Sequence, residues 1–308
     1  MLHLVIAALA LATAVAADAQ VNVTPDLDYI PRVDYAHGKD RLDIYAPAGA
    51  ANAPVVVMFH GGGLTGGDRK DETRFGRALA ARGYVVVTAS YRLTPTVVHP
   101  GHVEDAAAAF AWVKRNIAGW GGDARRVFVA GYSAGGYLAA LLGTDVRYLK
   151  AHDLSTTDVA GLILIAATFD VRNRPAEMQG PWGSDPHALE AASPARHLGP
   201  HVPRTLMIIG DQDEPWRLRD NRDAAAALRQ EGKGDISFHI VEGRDHQTIR
   251  RRPGEDQAQP TMAEIFKFLG DPEDRHRGER ANGAGKSSAL AFADAEGRAA
   301  QPHVRRPR

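Results

Sequence analysis

A serine, a late histidine and two aspartates stand where a nucleophilic hydrolase would need them. Gly131-Tyr132-Ser133-Ala134-Gly135-Gly136 follows the apolar run 126–130 and precedes the helix-forming stretch 137–142. In a G-x-S-x-G turn between strand and helix, the chain reverses so sharply that larger side chains at the glycines would clash. The serine hydroxyl is then held up at the sheet edge. Ser133 is the candidate nucleophile; the bland alternative is a tight turn whose serine caps the helix. His60-Gly61-Gly62-Gly63 follows the run 54–59. Its glycines leave backbone N–H groups uncovered. Such donors, fixed where acyl transfer builds negative charge on the carbonyl oxygen, lower the barrier. The Ala134 N–H is a further candidate donor. A phosphate loop would end in Gly-Lys-Ser/Thr, and here Leu64-Thr65 follows.

The run 205–209 is followed by Gly210-Asp211-Gln212-Asp213, so two aspartates compete for the role of acid. The run 236–241 is followed by Glu242-Gly243-Arg244-Asp245-His246. His246 is the candidate base. His239, inside that run, reads as a packed or edge histidine.

These residues need a scaffold that brings strand ends together. The runs 54–59, 84–89, 126–130, 162–166 and 205–209 are apolar but for Thr88, Arg126 and Thr205, as expected for strands covered on both faces of a parallel sheet. Between them, Val103, Ala106, Phe110, Val113 and Ile117 recur at steps of three and four, an apolar stripe on a helix. Residues 72–82 and 220–231 carry weaker versions of the same pattern. Near the front, 32–36 and 42–46 flank His37-Gly38-Lys39-Asp40 and predict an antiparallel hairpin. Alternating β and α predicts an α/β fold with a mostly parallel sheet and helices on both faces. Ligands of such sheets bind beyond the carboxyl ends of the strands, where the candidate residues lie.

Composition excludes other classes. There are 37 Lys and Arg against 37 Asp and Glu in 308 residues, so nothing points to nucleic acid or an anionic membrane as the main partner. No Cys is present, which rules out disulfides, thiolate metal sites and a cysteine nucleophile. Residues 1–19 read as a secretory signal peptide: an uncharged apolar run from Leu4 to Ala17, then the small-x-small pattern Ala17-Asp18-Ala19. The run is shorter than the ~20 apolar residues of a membrane span. Export, periplasmic or secreted, with a mature start at Gln20 is therefore expected, although Met1-Leu2-His3 lacks the usual basic start. From 271 to 308 charge is high and large apolar residues are few, so a solvated, disordered tail is expected. Residues 20–270 remain as one catalytic domain.

HGGG, GYSAGG, GDQD and a late histidine, in the order Ser, Asp, His, together resemble the α/β-hydrolase superfamily. Ser90-Tyr91-Arg92-Leu93-Thr94-Pro95, Asp105, Trp112, Gly121-Gly122-Asp123 and Ser193-Pro194 extend the resemblance to hormone-sensitive-lipase-like and feruloyl-esterase-like bacterial carboxylesterases. The resemblance implies a catalytic triad of Ser133, Asp213 and His246, with Asp213 favoured over Asp211. It implies Gly62 and Gly63 as oxyanion donors beside Ala134. It implies hydrolysis of a small-molecule ester through an acyl-enzyme, with no cofactor and no metal. Where that branch often has an aromatic residue after HGGG, this chain has Leu64, which bears on the acyl pocket. The segment 170–200, with Arg172, Met178 and Trp182, is expected to cover the site, Trp182 either packing in the core or touching substrate. An arylformamidase-type amide hydrolase shares these motifs, although export weighs against it. A non-catalytic binding module of the same fold would normally have lost a triad member or the glycines. No signal of oligomeric state is present.

Overall fold

The apolar runs form strands because a residue pair pointing to opposite faces can be buried on both. In β3 (Ala53–Phe59), Val55, Val57 and Phe59 enter one core cluster, and Val56 and Met58 enter the other across the sheet. Each fully buried aliphatic side chain contributes ~1.5–3 kcal/mol relative to exposure. In the computed structural model, which describes residues 20–31, 34–231, 235–250 and 260–270, eight strands form one sheet. They are β1 (Val21–Asp28), β2 (Arg41–Pro47), β3, β4 (Val85–Ala89), β5 (Gly122–Tyr132), β6 (Gly161–Ile165), β7 (Thr205–Gly210) and β8 (Ile236–Val241). The order is β1-β2-β4-β3-β5-β6-β7-β8. Only the pairings β1/β2 and β2/β4 are antiparallel.

Helices cover both faces. On one, α2 (Gly101–Asn116) contributes Val103, Phe110 and Val113, α3 (Ala134–Thr144) contributes Leu138 and Leu142, and α4 (Pro215–Gln230) contributes Leu228. On the other, α1 (Thr73–Ala80) contributes Phe75 and Leu79, and a final helix (Pro260–Leu269) contributes Ile265 and Phe268. The parallel strands all end at one edge, so the segments after β3, β5, β7 and β8 meet there.

The front hairpin differs from expectation. β2 pairs with β1 on one side and β4 on the other, and not with residues 34–36 of the expected hairpin; Ala36–Gly38 is a short 3-10 turn, and residues 32–33 lie outside the described residues. Pro25 and the polar residues of β1 hide it as a strand in the sequence. Proline is tolerated on an edge strand, and the register shifts between Thr24 and Leu27, with Asp26 at φ 65°. Arg69 then ties Asp26 to Asp43 of β2. The expected leader 1–19 and tail 271–308 lie outside the described residues.

Candidate active site

Ser133 stands between β5 and α3 with φ 54° and ψ −113°, a conformation non-glycine residues rarely adopt. The surroundings enforce it. Its N–H donates to Ile165 O at 2.8 Å, and its carbonyl accepts the Tyr137 N–H at 2.9 Å. The flanking glycines are required by contact. A Cβ at Gly135 would lie 2.0 Å from Phe59 O, and one at Gly131 would lie 2.1 Å from Gly135 O. The turn is thus pressed onto the end of β3, beside the HGGG loop.

That loop is built by three interactions. His60 stacks on Tyr91, ring centroids 4.2 Å apart, and the Tyr91 hydroxyl donates to His60 O at 2.8 Å. Burial lowers the His60 pKa to about 4, so the ring is neutral at neutral pH. Its Nδ1 lies 2.7 Å from Gly61 O, which fixes the proton on that nitrogen as donor. Gly62 has φ 114°, and a Cβ there would lie 2.1 Å from Gly66 O. The N–H groups of Gly62 and Gly63 donate to no acceptor among the described residues. The Ala134 N–H begins α3, where no preceding helical carbonyl exists to accept it. The helix dipole adds positive potential at the same point.

Ser133 Oγ lies 2.9 Å from His246 Nε2, and His246 Nδ1 lies 3.0 Å from Asp213 Oδ2. The carboxylate can only accept, so Nδ1 carries the proton and Nε2 is free to accept from the serine. Asp213 is buried, and Arg217 Nη1 donates to its Oδ1 at 2.6 Å. Burial pushes the Asp213 carboxyl up. The His246 hydrogen bond and the Arg217 charge outweigh it and hold the group below its ordinary value. Asp211 is exposed and accepts the Arg244 N–H at 3.3 Å, holding the turn. The Tyr132 hydroxyl donates to His246 O at 2.6 Å and its ring stacks on the imidazole. His239 lies on the edge strand β8, Nε2 3.2 Å from a Glu264 oxygen.

Ser133, Gly62, Gly63 and His246 line one cavity of about 690 Å³. Of the segment 170–200, Met178 and Arg174 line it. Arg172 instead pairs with Asp170, and Trp182 packs in the core against Tyr137. Leu64 is fully buried in the core, so its aliphatic character acts on packing rather than on the cavity wall. A second cavity of about 370 Å³, lined by Met58, Phe75 and Ile265 among others, adjoins the first across Tyr132 and Arg250.

The sequence did not single out Arg217 or Arg174, and it named His60 and Tyr91 only as motif residues, not as the ring pair that holds the glycine loop. Arg217 had a signal: Pro215 starts a helix two residues after Asp213, which puts residue 217 one turn on. Arg174 had none that set it apart from Arg172.

Among known proteins, the BD-FAE family model matches residues 42–228. The chain is 26% identical over 301 residues to the esterase LipQ of Mycobacterium tuberculosis, a match covering 85% of this chain and 70% of LipQ. It is 28% identical over 215 residues to the esterase LipC of the same organism, covering 63% of this chain. The chain thus spans about half of LipC, 53% of its length. A thermophilic esterase of Thermogutta terrifontis superposes with a TM-score of 0.66 at 26% identity, over 82% of this chain and 94% of that one. The chain belongs to the BD-FAE family and is an α/β-hydrolase esterase.

Proposed function

We propose that the protein hydrolyses small acyl esters through a serine acyl-enzyme, with Ser133 as nucleophile, His246 as general base and acid, and Asp213 as the residue that orients it. One observation carries this reading: the unbroken chain Ser133 Oγ, His246 Nε2, His246 Nδ1, Asp213 Oδ2, with links of 2.9 and 3.0 Å, beside uncommitted N–H groups. Ser133 Oγ adds to the ester carbonyl as His246 Nε2 takes its proton. The oxygen that gains charge faces the N–H groups of Gly62, Gly63 and Ala134. The carbonyl–alkoxide bond breaks, His246 returns the proton to the alkoxide, and the alcohol leaves. A water then adds to the acyl carbon, giving its proton to His246. The bond to Ser133 breaks, Ser133 recovers the proton and the free acid departs. The Thermogutta terrifontis esterase was solved with propionate bound, which supports a short acyl group here.

The catalytic domain in this reading is residues 20–270, exported after removal of 1–19. No helix among the described residues is long and apolar enough to cross a membrane. N-terminal sequencing of protein from a secreting host should begin at Gln20; an intact Met1 on released protein refutes export with cleavage.

The test of the chemistry is turnover of p-nitrophenyl acetate together with covalent labelling by an alkyl phosphonate ester. Hydrolysis, and a mass increase on the peptide containing Ser133, are expected. Turnover with the label elsewhere overturns the assignment, and no turnover overturns the activity.

A further inference from the structure

Three guanidinium groups line the cavity onto which Ser133 opens: Arg174, Arg217 and Arg250. Arg217 is answered by Asp213 and Glu214, and Arg250 by Glu72. Arg174 forms no ion pair among the described residues, yet it is only 8% exposed. Its Nη1 donates to Thr168 Oγ1 at 3.1 Å, and its Nε has no partner. Its guanidinium carbon lies 5.0 Å from the Trp182 ring centroid and 5.4 Å from that of Trp216.

Burying a guanidinium without a counter-ion is unfavourable. The two indole faces attract the cation and offset part of that cost, but they supply no acceptor for its unpaired N–H group. The nearby carboxylates are committed elsewhere. Glu214 is half exposed and sits 2.9 Å from Arg217. Asp220 accepts the N–H groups of Phe169 and Asp170. Burial and the charge of Arg217 lower the Arg174 pKa to about 10, which leaves it protonated at neutral pH. The group is also held in place: Thr168 fixes one nitrogen, and Gln179 Nε2 donates to the Arg174 carbonyl at 2.9 Å. A rigid, charged fork with spare donors at the wall of a reaction cavity matches the planar geometry of a carboxylate.

We propose that Arg174 binds a carboxylate carried by the substrate, so that the preferred esters are anionic. This rests on the esterase reading above and names its substrate class. The carboxylate could belong to the acyl part, as in a half-ester of a dicarboxylic acid, or to the alcohol part, as in an ester of a hydroxy acid.

Two pairs of esters matched in shape test it. Monomethyl glutarate against methyl glutaramate varies the acyl side, and 4-acetoxybenzoate against 4-acetoxybenzamide varies the alcohol side. The wild-type enzyme should favour the carboxylate member of at least one pair in kcat/KM by about ten-fold or more, as for a charge-assisted hydrogen bond. The favoured pair identifies the side. Arg174→Gln should bring that ratio close to one, and Arg174→Lys, which keeps the charge but not the fork, should retain part of it. A wild-type ratio near one in both pairs overturns the proposal without any variant. A ratio unchanged in folded Arg174→Gln does the same. If wild-type protein hydrolyses p-nitrophenyl acetate while these results fail, the esterase reading stands and this inference alone falls. Hydrolysis of no ester at all removes both.

Discussion

Arg217 Nη1 contacts Asp213 Oδ1 at 2.6 Å from one helical turn away, while the other oxygen of Asp213 faces His246 at 3.0 Å. The same nitrogen lies 3.0 Å from His246 Nδ1. Because that ring nitrogen already carries the proton aimed at Asp213, Arg217 stands beside it as a cation rather than as a donor. In the proposed mechanism Arg217 is a positioning residue, one that fixes the rotamer of Asp213 and favours its ionised form. Arg217→Met should lower kcat by about 10- to 100-fold, as expected when the orientation of a general base is loosened. The split between kcat and KM separates this from a purely structural loss: the fall should lie in kcat, with KM and the folded fraction near their wild-type values. An unchanged kcat in folded Arg217→Met would refute the role, and Arg217→Lys, which keeps the cation, should restore part of the rate.

Ser133→Ala should abolish ester hydrolysis, by about 10⁴-fold or more, leaving only what the donors and binding supply. The fold should persist, because the hydrogen bonds that hold residue 133 at φ 54° are made by its backbone. Wild-type turnover in mass-verified protein would refute Ser133 as nucleophile.

Asp213→Asn should cost about 10⁴ in turnover, since an amide allows the wrong imidazole tautomer. Asp211→Asn should instead lower stability by about 1 kcal/mol through its turn contact with Arg244. The comparison is turnover at matched folded fraction. An inactive Asp211→Asn beside an active Asp213→Asn would reverse the assignment.

Gly62→Ala tests the donor loop. The new methyl would lie 2.1 Å from Gly66 O at a φ of 114°, so the backbone must shift. The N–H groups at 62 and 63 then leave their places. Loss of one well-placed donor costs about 10²–10³ in kcat. Turnover should fall at least that far, with circular dichroism unchanged. Near-normal kcat would place the oxyanion elsewhere.

Stability should depend on pH through Asp220. Burial pushes its carboxyl from 3.8 up to about 6, against the pull of the N–H bonds from Phe169 and Asp170. Between those values the folded protein holds a proton that the unfolded chain has lost. Its contribution to stability is therefore full below 3.8, falls as pH rises to about 6, and is constant above. Asp220→Asn should remove this part of the slope in denaturant midpoints across that window. Identical slopes in both proteins would refute it.

The candidate site residues were legible in the sequence because local geometry singles them out. Ser133 needs small neighbours wherever a strand turns into a helix that sharply, and Gly131 and Gly135 are the written form of that contact. Val55 to Phe59 could be read as a two-faced strand because no polar residue interrupts it. His246 and the two aspartates could be placed after their strands, since a parallel sheet ends all its strands at one edge. By its residues alone the chain left Asp211 and Asp213 as competitors, and only resemblance favoured the second. The tertiary structure separates them physically: one is exposed on a turn, the other buried against His246 and Arg217. It also moved the first strand to Val21–Asp28, because an edge accepts the proline and the bulge that local pattern counts against. It chose Arg174 over Arg172 as the cavity residue. That choice depends on which carboxylate each arginine meets across the fold, and partners distant in sequence leave no periodicity to read.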